Sequence, residues 1–414
     1  MQFKENVIQH CSFCQRTRNE VHKLIVGSEV AICNICFESI KDLLDKENSS
    51  GLRIKKPKTK ILSPLEIKNQ LDEVVIGQDD AKIALSVAVH NHYKRLQKNS
   101  QKVKVEKSNV LLLGPTGSGK TLLVRAIAEL LDVPMVIGDA TTLTQAGYVG
   151  DDVEILLSKL VQEANGDIEL AQRGIIFIDE IDKIAKSGDS STLGRDISGE
   201  GVQQSLLKMI EGHVVAVPPE PSRKLGFVDT VDINTSQILF VCSGAFVGLD
   251  KILESRQQGN TAGIGFAASV DKNKKLDWDG ILAQDLVKYG IIPELIGRLP
   301  IITYTEALTQ AQMIKVLTDP KDSIIKQYQE LFSPIKLKFT LDGLEAVASK
   351  AIKLGTGARS LRSILEKKLT PLQFKLSHGS SESVSSVTIT KEFIEGTTDP
   401  LMKLKKLRKK GNQS

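Results

Sequence analysis

Three short apolar runs punctuate the chain: Val110–Leu113, Ile175–Ile178 and Ile238–Cys242. Each is strand-sized and too brief for a helix, which predicts buried strands. Between such runs lie helical patterns. Thr121–Leu131 reads as a helix that ends before Pro134, and Ala358–Leu369 places Leu361, Ile364, Leu365 and Leu369 on one face. From about 62 to 305 helical patterns alternate with strands, the α/β signature, whereas 306–398 is dominated by helices. No apolar run approaches the length of a membrane span, and no internal repeat is visible.

The chain has 414 residues, enough for two or three domains, with 41% hydrophobic and 25% charged residues, so a mainly disordered or fibrous chain is excluded. The formal net charge is +5, but six of the positives (Lys403, Lys405, Lys406, Arg408, Lys409, Lys410) crowd the last twelve residues. Without them 49 basic residues face 50 acidic ones, so the body is near neutral and offers no nucleic-acid-coating surface. Residues 399–414 therefore read as a basic, frayed tail. A second charged stretch, with Arg53, Lys55, Lys56, Lys58 and Lys60 around Pro57, makes 51–61 an extended linker between a small module, 1–50, and the α/β block. The N-terminus, lacking an apolar core, shows no secretory signal, which predicts a cytoplasmic protein.

The small module carries four of the five cysteines. Cys11 and Cys14 form one Cys-x-x-Cys pair, and Cys33 and Cys36 form a second, 18 residues further on. Each pair presents two thiolates from one tight turn, and two turns complete a tetrahedron around Zn²⁺. Four protein ligands leave no open position, so the zinc is structural, and a module this small needs it to fold. His10 and His22 could compete as ligands but are expected to be surface bystanders, and Cys242, inside an apolar run, is expected to be inert core.

The α/β block carries a phosphate-binding loop: Gly114, Pro115, Thr116, Gly117, Ser118, Gly119, Lys120, Thr121. A strand precedes it and a helix follows, as the chemistry requires: glycines let backbone N–H groups turn inward beside the positive helix end. Lys120 would neutralise β/γ-phosphate oxygens of ATP, and Thr121 would ligate Mg²⁺. Some 55 residues on, the Ile175–Ile178 run delivers Asp179 and Glu180. Asp179 would hold Mg²⁺ through water and Glu180 would polarise the attacking water, which argues for hydrolysis rather than binding alone. Ser243, just after the third run, is a candidate sensor. By composition alone Arg298 and Arg359 are surface arginines.

Together these residues resemble the ClpX family of zinc-binding AAA+ unfoldases over nearly the whole chain, from Cys11 to about Asp399. The resemblance also rests on Val75-Ile76-Gly77-Gln78, Gly147-Tyr148-Val149-Gly150, Asp196–Gln204, Ile264-Gly265-Phe266, Pro293–Pro300 and Gly357-Ala358-Arg359. It implies a treble-clef-like zinc module (1–50), an AAA+ large ATPase domain (62–305) and a small α-rich lid domain (306–398). It further implies Val75 and Ile76 at the adenine, Arg298 as a finger reaching a neighbour's γ-phosphate, and Arg359 as a second sensor arginine. A finger acting in trans requires a ring, a homohexamer in this family. Tyr148 and Val149 would grip a translocating chain, and Arg223 and Lys224 would attract its carboxylate at the pore mouth, where Leu225 replaces the family's usual histidine. Ile264, Gly265 and Phe266 would dock on the ClpP peptidase ring, while the zinc module would bind tagged substrates or adaptors. Two other readings compete: a DNA-handling ATPase, opposed by the near-neutral body, and a nucleotide-gated scaffold, opposed by the Asp179/Glu180 pair.

Overall fold

The computed structural model describes residues 10–26, 30–40, 61–97, 103, 105–144, 151–186, 199–218, 230–261, 280–377 and 384–404. The chain divides into two compact units, Met1–Lys60 and Ile61–Ser414. In the first, β1 (Leu24–Val26) and β2 (Ala31–Cys33) form an antiparallel hairpin, followed by helix over 34–40. Its described apolar core is slight: Cys11, Ala31 and Cys33 are buried, while Phe13, Ile25, Val26, Val30, Ile35 and Phe37 are exposed.

The second unit opens with α1 (Pro64–Val74). Ser63 and Glu66 form a reciprocal capping box at its start and Pro64 sits at the first helical position. After α2 (Asp79–Gln97) come β3 (Val110–Leu113), α3 (Lys120–Leu131), β4 (Met135–Asp139), α4 (Ile155–Glu163) and β5 (Ile175–Asp179). Then follow α5 (Glu200–Glu211), the hairpin of β6 (Val214–Val217) with β7 (Val231–Asn234), and β8 (Leu239–Gly244). α6 (Leu249–Thr261), α7 (Ala283–Tyr289), α8 (Pro293–Gly297) and β9 (Ile301–Tyr304) complete this part.

Five strands form one sheet in the order β9-β3-β8-β5-β4, every neighbouring pair parallel. The three expected apolar runs are its centre, and β3 and β8 are buried at every position. They are apolar throughout because both faces are covered. Val110, Leu112, Ile175, Phe177, Leu239 and Val241 face a core shared with α1, α2 and α3. Leu111, Leu113, Ile176, Ile178, Phe240 and Cys242 face the core of α4 and α5. The period-two alternation thus splits each strand between two helical layers.

A third core belongs to the C-terminal part: α9 (Gln310–Thr318), α10 (Ile324–Leu331), β10 (Lys336–Phe339), α11 (Leu341–Leu354), α12 (Arg359–Ser377), β11 (Val384–Ile389), α13 (Lys391–Glu395) and β12 (Leu401–Leu404). Leu361, Leu365 and Leu369 are fully buried as their spacing predicts, with Ile364 partly so. One feature adds to the sequence reading and another corrects it. This part holds a three-stranded sheet, β10-β11-β12, besides its helices. The basic tail, expected to fray from residue 399, begins with a strand: Leu401–Leu404, Lys403 included, pairs antiparallel with β11. All four side chains are exposed, so backbone pairing rather than burial holds this strand.

Candidate functional site: a nucleotide cleft and a thiolate cluster

The chemistry gathers where β3, β8 and β5 end side by side, the edge at which open parallel sheets bind ligands. From the end of β3 the chain enters the Gly114–Gly119 loop and then α3, whose first residue is Lys120. Lys120 is buried, and its ammonium donates to the carbonyls of Gly114 at 2.7 Å and Pro115 at 3.0 Å. Burial pushes it down from its ordinary value, and the nearby guanidinium of Arg359 acts in the same direction against Asp179, Asp182 and Glu180. A desolvated cation held by carbonyls in the first turn of a helix is suited to phosphate oxygens.

Asp179 closes β5 and accepts two hydroxyls, Ser243 Oγ at 2.5 Å on Oδ1 and Thr121 Oγ1 at 3.4 Å on Oδ2. The expected magnesium pair, Thr121 and Asp179, is therefore in contact, and Ser243 from the end of β8 joins it. A hard cation takes oxygen ligands of this kind, so the donor set fits Mg²⁺. Glu180 is exposed and held at φ 58°. A non-glycine residue in that region carries backbone strain, and here it turns the chain at the end of the strand.

Small-domain residues complete the cleft. Ala358 N–H donates to the Gly117 carbonyl at 3.1 Å, so the turn before Arg359 packs on the phosphate loop. Gly117 has φ +76°, and a Cβ there would meet the Thr356 carbonyl oxygen at 2.2 Å: only glycine permits this approach. Beside the loop, a cavity of about 660 Å³ opens between Gly114, Thr116, Phe246, Thr305 and Gly355. On the other flank Val75 is buried and Lys82 Nζ donates to its carbonyl at 2.6 Å. Ile76 is half-buried, and Val75 Cγ1 lies nearest to Gly119.

Arg298 stands apart from this cleft. It precedes β9, and Ile301 pairs with Val110 at the start of β3, while the phosphate loop follows the end of β3. The length of the strand separates Arg298 from its own chain's loop. Its guanidinium instead meets Glu211 Oε1, through Nε at 3.2 Å and Nη2 at 3.0 Å.

Three further site residues have partners that the sequence does not disclose. The Gln78 side chain donates to the carbonyls of Ser118 at 3.1 Å and Glu306 at 2.8 Å. The Thr305 hydroxyl lies 2.7 Å from Ser118 Oγ. Buried Asp182 accepts from Ala245 N–H at 3.2 Å, tying the segment after Glu180 to the one after Ser243. All three join segments far apart in sequence. Tyr148, Val149, Arg223, Lys224, Ile264, Gly265 and Phe266 lie outside the described residues.

In the first unit, Cys11, Cys14, Cys33 and Cys36 bring their sulfurs within 4.8 Å of one another, with Cys14 and Cys33 at 3.7 Å. A tetrahedral Zn²⁺ with bonds of about 2.3 Å sets its sulfurs about 3.8 Å apart, so the cluster fits that ion. Burial raises the Cys11 thiol, but N–H groups of Cys14, Cys33 and Phe13 outweigh it and bring it to about 6. Cys36 is pushed up to about 12 by the Cys14 thiol, burial and the other two cysteines. Crowded thiolates repel one another, and a dication relieves that repulsion.

Residues 9–46 match the family described as the ClpX C4-type zinc finger. Residues 105–302 match the AAA domain (Cdc48 subfamily), and 308–389 match the C-terminal, D2-small domain of ClpB protein. Two curated relatives, from Borrelia duttonii (strain Ly) and Borrelia recurrentis (strain A1), are each 47% identical over 408 residues, covering 96% of this chain and 94% of the relative. Each is named "ATP-dependent Clp protease ATP-binding subunit ClpX".

Proposed function

The chain belongs to the ClpX family, and from that premise we propose that it unfolds tagged proteins with ATP and threads them through a homohexameric pore into a ClpP peptidase ring in the bacterial cytoplasm. The observation that carries this reading is the meeting of the phosphate loop, Asp179 with Ser243, and the Gly355–Arg359 turn in one cleft. Residues 62–305 act as the large domain, 306–398 as the small one, and 1–50 as a zinc module that receives substrates or adaptors.

In this cleft Val75 and Ile76 border the adenine, and the loop N–H groups with Lys120 hold the phosphates. Thr121 and Asp179 would hold Mg²⁺, which would supply positive charge against the phosphate oxygens. Glu180 orients and polarises the attacking water, accepting its proton as the water oxygen bonds to the γ-phosphorus. The bond to the β–γ bridging oxygen breaks, so that ADP leaves with that electron pair. Arg359 reads the γ-phosphate from the small domain, so hydrolysis alters what holds Ala358 to Gly117 and the two domains shift as rigid bodies. Arg298 serves the neighbouring subunit. Its position at the opposite end of β3 from its own loop supports that role. Tyr148 and Val149 grip the chain in transit through apolar contact, which is indifferent to sequence. Arg223 and Lys224 attract substrate at the pore mouth, and Ile264, Gly265 and Phe266 dock on ClpP.

The test is degradation of a stably folded, tagged protein by the full chain with ClpP and ATP. Loss of the folded protein only when chain, ClpP and ATP are all present supports the reading. ATP hydrolysis without any substrate unfolding contradicts it.

A further inference from the structure

We propose that Glu211 is the positioning residue for Arg298, holding one edge of its guanidinium so that the other faces the neighbouring subunit's phosphate. This rests on the reading of Arg298 as a finger acting in trans. Both contacts to Glu211 Oε1 come from the Nε–Nη2 edge, at 3.2 and 3.0 Å. Among the described residues Nη1 has no partner, so both its N–H groups remain to grip an oxyanion. A free arginine side chain samples many rotamers, and fixing it beforehand removes that entropy from the reactive complex.

Fold stability does not account for the pair. The Arg298 and Glu211 side chains are 53% and 31% exposed, a setting in which an ion pair contributes little. Yet the backbones on both sides are anchored from one segment. Buried Asn109 donates from Nδ2 to the Arg298 carbonyl at 2.9 Å and accepts from Phe240 N–H at 3.3 Å. Two residues earlier, Lys107 Nζ donates to the carbonyl of Ile210, next to Glu211, at 3.2 Å, and to that of Thr235 at 2.9 Å. Lys107 also lies 4.2 Å from the centre of the Phe240 ring. Residues 107–109, which lead into β3, therefore hold both members of an exposed pair in register.

The experiment is a double-mutant cycle in the full chain, with Glu211→Gln, Arg298→Lys and the double variant assayed for ATP turnover, KM and hexamer formation. Glu211→Gln is expected to lower kcat about tenfold with KM near the parent value, since a misaimed group costs the reactive step rather than nucleotide binding. Arg298→Lys, whose ammonium has no second edge to present, is expected to fall further, and Glu211→Gln is expected to add nothing in that background. Turnover unchanged or raised in Glu211→Gln, while Arg298→Lys is impaired, overturns the positioning role and leaves the finger standing. An additive loss in the double variant makes Glu211 merely structural and overturns it as well. Full turnover in Arg298→Lys overturns the finger reading itself.

Discussion

The nucleotide cleft and the thiolate cluster are equally plain in the sequence, yet they hold their shapes by different physics. The cleft stands on strands packed between two apolar layers, with Leu111, Leu112 and Leu113 all fully buried. Its catalytic groups are aimed by a scaffold that exists whether or not ligand binds. Among its described residues the zinc module has no comparable core, and six large apolar side chains there face solvent. There the ligand is the core. A site on a packed sheet tolerates loss of one functional side chain without unfolding, whereas a metal-built module does not.

The largest expected effect tests the first half of that contrast. Glu180→Gln should cut ATP turnover by about 10²- to 10⁴-fold while a fluorescent nucleotide still binds and the fold persists. Unchanged turnover in a steady-state assay would refute the role given to Glu180. Cys14→Ser tests the second half: bound zinc falls from one per chain toward none, and residues 1–50 become protease-sensitive. ATP turnover by the rest should stay within about twofold, because every cleft residue named above belongs to the second unit. A parallel collapse of turnover would show that the two units are not independent.

A smaller change probes how the scaffold shapes the cleft. Gly117→Ala places a Cβ against the Thr356 carbonyl and demands φ +76° of an alanine. Nucleotide affinity should fall about tenfold as the small-domain turn is pushed off the loop. Undiminished affinity in a titration would mean that this contact does not shape the site.

The smallest effect is on pH dependence. His92 is buried against Tyr93, and burial, helped by Arg95 and Lys107, pushes it down to about 3. Its folded value lies below the unfolded one, near 6.5, so the unfolded chain binds the extra proton between them. Stability is therefore full above 6.5 and is lost as pH falls toward 3, about 2 kcal/mol of it by pH 5. His92→Phe should lose that much less than the parent between pH 7 and pH 5 in denaturant melts. Identical pH dependence would mean that His92 protonates freely in the fold.

What the sequence discloses follows the same contrast of local and distant. The Gly114–Thr121 loop, Asp179 with Glu180, and the two cysteine pairs are legible because each is a short run whose spacing alone dictates its chemistry. The contacts of Gln78, Thr305 and Glu211 are not, because their partners lie 228, 187 and 87 residues away. The Val75–Gln78 motif marks where Gln78 stands, but nothing local shows that it bridges Ser118 and Glu306. Leu401–Leu404 was hidden for another reason: a strand held by backbone pairing, with no buried face, has no hydrophobic alternation to separate it from the lysines beyond.

The central claim is that ATP is hydrolysed in a cleft completed by the neighbouring subunit. Its most direct test mixes two variants before assembly, Glu180→Gln and Arg298→Ala, each inactive alone. An Arg298→Ala subunit keeps its own Lys120 and Glu180 and receives Arg298 from a Glu180→Gln neighbour. In equal mixtures random assembly should restore about a quarter of the parent turnover per subunit. Mixed rings that form normally yet stay as inactive as either variant alone would contradict the account.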